Sequence, residues 1–87
     1  MTATSLLSAL KVDLGITATE YDERLTAYLN NAMQQITREG VTLNDSDGQL
    51  VEMYAAWMWR RRDTGEGMPR MVRYLLNNRV LQEKAHG

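Results

Sequence analysis

Eighty-seven residues, 44% apolar and 24% charged, fit one small globular domain. The absence of cysteine excludes a disulfide framework, a thiolate metal site and a thiol nucleophile, and no apolar run approaches the roughly 18–20 residues that cross a bilayer. The net charge of −1 conceals two unlike parts: residues 1–59 carry three basic side chains against eight acidic ones, and residues 60–87 carry seven against three.

Opposite-signed ends suit head-to-tail contacts between copies, or a basic end facing something acidic, and they equally describe a dipolar surface with no specific partner. The N-terminus lacks the charged start and continuous apolar stretch of a signal peptide. The expectation is a soluble intracellular protein.

Leu6, Leu7, Leu10 and Leu14 recur at helical spacing, which predicts a first helix over 5–14. Thr4 or Ser5 can cap it, and Gly15 can end it in the left-handed conformation. Thr17-Ala18-Thr19-Glu20 has the form of a capping box, with Asp22 and Glu23 close behind at the positive end of the helix dipole. Tyr21, Leu25, Tyr28, Leu29, Ala32, Met33 and Ile36 then mark one face of a second helix over 18–39, which Gly40 stops. Residues 40–45 read as a loop, with Val41 and Leu43 tucked back onto the bundle.

Ser46-Asp47-Gly48-Gln49 is a further capping box, opening a third helix over 47–61. This helix is apolar over most of its circumference and ends in three consecutive arginines, so it is expected to be covered on more than one side. Leu50, Met53, Tyr54 and Trp57 share one face, which assigns Trp57 to the core. Trp59 lies roughly 200° away, on the face of Glu52, Ala55 and Ala56, and is left open between a second contact within the chain and a subunit interface. Residues 63–67 form a polar turn. Pro69 then suits the first position of a fourth helix over 69–81, with Met68, Met71, Val72, Leu75, Leu76 and Val80 as its apolar stripe. The tail 82–87 is polar and expected to fray.

Four helices on short loops, with no period-two alternation, predict one all-α domain: a small four-helix bundle around a largely buried third helix. Its expected core is Leu10, Leu25, Leu29, Met33, Leu50, Tyr54, Trp57, Leu75 and Leu76.

Catalytic chemistry finds little support. The sole histidine, His86, lies in the tail, and most carboxylates sit at helix starts, where capping explains them. No metal-ligand spacing occurs, and Gly65-Glu66-Gly67 lacks the strand and the lysine of a phosphate loop. The expectation is a non-enzyme without catalytic, cofactor or metal residues.

Nucleic acid is a stronger candidate, because Arg60, Arg61, Arg62, Arg70, Arg73 and Arg79 can neutralise phosphates from one end of the bundle. The first three also compensate the negative end of the third helix, which needs no partner at all. A helix-turn-helix is disfavoured because the glycine-rich connection before Pro69 exceeds the usual turn of about 3–4 residues.

The chain also resembles a known family. Gly15-Ile16-Thr17 after a leucine helix, then Glu20-Tyr21-Asp22, begin the pattern. Its specific part is Trp57-Met58-Trp59-Arg60-Arg61-Arg62, Gly67-Met68-Pro69-Arg70-Met71 and Tyr74-Leu75-Leu76-Asn77-Asn78-Arg79. Over nearly its whole length it resembles the head–tail connectors, the head-completion adaptors of tailed bacteriophages and prophages. Many members extend further at the C-terminus than this sequence does.

The resemblance implies a helical protein that assembles with itself as a ring beneath the portal and joins it to a stopper or tail-completion protein. DNA would pass through the channel, and non-specific contact with packaged DNA would follow. The implied location is the bacterial cytoplasm during assembly and then the virion, with no membrane partner. The expected partner-facing set is Trp59, Arg60, Arg61, Arg62, Met68, Pro69, Arg70, Arg73, Asn78 and Arg79. The alternatives are a small helical nucleic-acid-binding or regulatory protein using the same arginines, and a partner-dependent inhibitor or antidote.

Overall fold

Apolar residues three and four positions apart, broken by glycines, generate four α-helices in the computed structural model. It describes residues 1–65 and 67–86, and of Asp63, Thr64 and His86 the backbone alone. The helices are α1 (Ala3–Leu14), α2 (Asp22–Arg38), α3 (Gly48–Thr64) and α4 (Arg70–His86), with a 3-10 turn at Asp45–Asp47. No strand occurs among the described residues. The all-α four-helix bundle is the observed architecture. Helix α3 is its hub, packing against the other three helices, whereas α4 leans chiefly on α3.

Each helix end has a local cause. Thr2 caps α1: its hydroxyl accepts the Ser5 N–H at 3.1 Å, and the Ser5 hydroxyl accepts the Thr2 N–H at 3.2 Å. The helix therefore starts two residues earlier than 5, and Ala3 enters the core. Gly15 and Gly65 close α1 and α3 at φ 71° and 67°, a left-handed conformation that a Cβ disfavours.

The expected start of α2 at 18 is wrong. Thr17 to Tyr21 stay outside the helix because tertiary contacts outcompete the capping box: Tyr21 lies edge-on to Trp59, and Lys11 reaches Asp22 at 2.7 Å. The box that opens α3 is also shifted, to Asn44–Asp47, where Asn44 accepts from the Ser46 N–H and Asp47 accepts from the Asn44 N–H. Helix α4 continues well beyond 81. Glu83 is held by Arg79 at 2.9 Å and accepts the Thr42 N–H at 2.9 Å, so residues 82–85 are helical rather than frayed. Glu66 of the expected turn, Gly87 and the His86 side chain lie outside the described residues.

The core forms where α1, α2 and α3 converge. Leu10, Leu25, Leu29, Ala32, Ile36, Val51 and Ala55 are completely enclosed, and Val41 folds back to join them. Of the expected core, Leu50 and Leu76 are also buried, while Met33, Tyr54, Trp57 and Leu75 are half-buried and pack against its edge. The deep face of α3 is Val51, Ala55, Met58 and Trp59, turned about 135° around the helix from the face the sequence favoured, of which only Leu50 is buried. Close approach of α1 and α2 selects the small Ala55 and Ala56, and the bulkier Met53, Tyr54 and Trp57 are turned toward the rim.

Candidate functional site

Helix α3 delivers its three arginines at its C-terminal end, where positive charge offsets the helix dipole. There the two tryptophans exchange their expected roles. Trp59 is 7% exposed and lies edge-on to Tyr21 at 5.5 Å and Tyr28 at 5.9 Å, which corrects its assignment to the partner-facing set. The core accommodates this indole because two tyrosines of the α1–α2 connection and α2 present ring faces and edges to it. Arg62 covers it from outside, donating to the Trp59 carbonyl and setting its guanidinium 3.7 Å from the ring centroid.

Trp57, by contrast, belongs to the surface. It meets Tyr54 edge-on at 5.5 Å, carries the Arg61 guanidinium 4.8 Å from its centroid, and donates its Nε1–H to the Gly67 carbonyl at 3.0 Å. That hydrogen bond fixes the approach to α4. Met68 is half-buried there, Pro69 is exposed, and α4 begins with exposed Arg70 and Arg73. Arg73 and Arg61 act on the same phenol: burial and Glu39 push the Tyr54 pKa up, and these two arginines oppose them.

An elbow between α3 and α4 thus carries a half-buried aromatic pair, Tyr54 and Trp57, with exposed Arg60, Arg61 and Arg73 near it and exposed Arg70 at the start of α4. Beneath it a cleft of about 180 Å³ is lined by Asp13, Met53, Ala56, Trp57, Arg60, Pro69, Met71 and Val72. Its size is below that of ordinary small-molecule sites, about 300–1,000 Å³. No group of three or more metal-ligating side chains occurs among the described residues. No described helix is long and apolar enough to cross a membrane.

Besides Trp59 and Arg62, which covers it, two further members of the expected set do not join the elbow. Asn78 is exposed two turns further along α4. Arg79 turns inward: it donates to Asp47 at 2.8 Å, to Glu83 at 2.9 Å and to the Thr42 carbonyl at 2.8 Å. Asp47 and then Glu83 raise its pKa, while Thr42 and Arg79 hold the Glu83 carboxyl below its usual range. Arg79 is a tie between α4 and the segment before α3, since Asp47 is buried and needs its countercharge. Sequence reasoning also missed Tyr54 and Trp57 as surface aromatics. Their helical spacing from Leu50 and Met53 reads as a core face, and the one signal to the contrary is the i, i+4 relation of Trp57 to Arg61.

Compared with known proteins, the chain matches no family model, no curated protein and no solved structure.

Proposed function

We propose that this chain is a non-enzymatic head–tail connector of a tailed phage or prophage. It would assemble as a ring between the portal and a tail or stopper component, with DNA passing through the channel. The observation that carries the reading is the elbow, where Tyr54 and Trp57 stand with Arg60, Arg61 and Arg73 and where α4 opens on exposed Arg70. Aromatic and arginine side chains together are the composition of protein interfaces. A closed ring requires two different, complementary patches on each subunit, and the basic elbow has its counterpart in the acidic first two-thirds of the chain. The resemblance over Trp57 to Arg79 supports the same reading.

Electron microscopy of the protein mixed with its portal tests it. Ring density beneath the portal is expected, and its absence at high protein concentration overturns the proposal. The exposed arginines favour nucleic-acid binding as the second reading. Binding to unrelated DNA duplexes near physiological salt, falling steeply as salt rises, would favour that reading in the absence of a ring.

A further inference from the structure

Helix α4 carries two stripes of apolar side chains. The inward one includes buried Val72 and Leu76, with half-buried Val80 beside them. The outward one is Met71, Tyr74 and Leu81, which are 58%, 63% and 63% exposed. At about 100° per residue the two stripes face roughly opposite directions. Exposed apolar residues are ordinarily scattered singly. Here three of the six large exposed ones among the described residues fall on one line of one helix. Exposed Asn78 and Ala85 complete that line.

Met71, Tyr74, Asn78, Leu81 and Ala85 are spaced three, four, three and four apart, the a and d positions of a heptad seam. We propose that a second copy of this chain docks on this stripe, α4 against α4, as a parallel two-stranded coiled coil with Asn78 facing Asn78 of the partner.

Two observations select that occupant, and a third its orientation. First, the stripe is self-complementary, as a two-fold contact requires. Second, Asn78 occupies the central a position, where one carboxamide can donate to and accept from an identical one. Against a purely apolar surface the same amide would be desolvated without a partner.

Third, the flanking charges distinguish the two orientations. Arg70, Asn77 and Lys84 hold the g positions, and Leu75 and Gln82 the e positions. A parallel pair sets Arg70 beside Leu75 and Asn77 beside Gln82, with no like charges adjacent. An antiparallel pair sets Arg70 beside Lys84 at both ends and Asn78 against Tyr74, which repels and leaves the amide unmatched. The inward stripe, by which α4 meets its own bundle, lies on the opposite side of α4 from the seam. The pairing does not depend on the connector reading.

The absence of native cysteine makes the test direct. Full-length Tyr74→Cys and Leu81→Cys variants, each alone, are oxidised mildly and compared with Val12→Cys, which is exposed on α1. Parallel pairing brings each seam cysteine opposite its own copy, so both variants should form disulfide dimers much faster than the control. Cross-linking of neither above the control rate overturns the proposal, as does cross-linking seen only when a Met71→Cys variant is mixed with Leu81→Cys, the pair an antiparallel seam would bring together. In sedimentation equilibrium the wild-type chain should show a monomer–dimer equilibrium. Tyr74→Lys should weaken it at least tenfold while leaving the helical circular dichroism unchanged. A wild-type chain that stays monomeric at every concentration, with silent seam cysteines, assigns the stripe to another protein.

Discussion

Arg62 sets its guanidinium 3.7 Å from the centre of the Trp59 ring, closing over an indole already held edge-on by Tyr21 and Tyr28. This arrangement makes Trp59 an interior residue with a cationic cover. Trp59→Ala should cost about 3–5 kcal/mol of unfolding free energy, as large aromatic truncations in cores do. Trp57→Ala removes a half-buried ring and should cost only about 1–2 kcal/mol. Urea denaturation of the two variants checks the order, and the reverse order would return Trp57 to the core.

Arg79 is the second stability hinge. Arg79→Ala leaves Asp47 buried without its countercharge and frees the Thr42 carbonyl, so a loss of about 2–3 kcal/mol is expected. Arg73→Ala, on the exposed side of the same helix, should stay within about 0.5 kcal/mol of wild type. Adding Asp47→Asn to Arg79→Ala should recover part of the loss in a double-mutant cycle. Strictly additive losses would show that the two side chains are not coupled.

Glu52 should make the fold sensitive to pH. Burial first, and then the neighbouring Asp13 carboxylate, raise its folded-state pKa to about 7 from an ordinary 4.5. The folded protein therefore holds this proton more tightly than the unfolded chain does. The corresponding stability is fully present below about pH 4.5, declines as pH rises, and is lost above about 7. Glu52→Gln should match wild type near pH 4 and exceed it at pH 8 by roughly 1 kcal/mol, a modest gain because Asp13 is exposed to solvent. Thermal melts across that range measure the difference.

Charge reversal at the elbow separates partner binding from folding. Arg61→Glu with Arg73→Glu alters two exposed side chains, so the helical content should hold, and, on the connector proposal, association with the portal should fall by at least tenfold. Pull-down with portal rings, alongside circular dichroism, gives both readings. Retained binding would move the interface away from the elbow.

The sequence makes the four helices legible because leucines three and four apart and the glycines at 15 and 65 are local signals. The inward face of α3 is a different matter. Its apolar residues surround the axis, so the choice of Val51, Ala55 and Trp59 over Met53, Tyr54 and Trp57 depends on how closely α1 and α2 approach. The end of α4 depends on a distant amide, that of Thr42, reaching Glu83. For the candidate site, the exposed arginines at 60, 61, 70 and 73 could be read directly. Arg79 could not be told from them, because its partners Asp47 and Thr42 belong to another part of the chain.

The division between Trp57 and Trp59 has a practical consequence. Two residues apart in sequence, they sit in unlike surroundings, one enclosed by tyrosines and the other hydrogen-bonded to the Gly67 carbonyl at the elbow. The molecule thus contains two optical reporters of its own. Single-tryptophan variants would allow the melting of its interior and the docking of a visitor at its rim to be followed as separate emission signals.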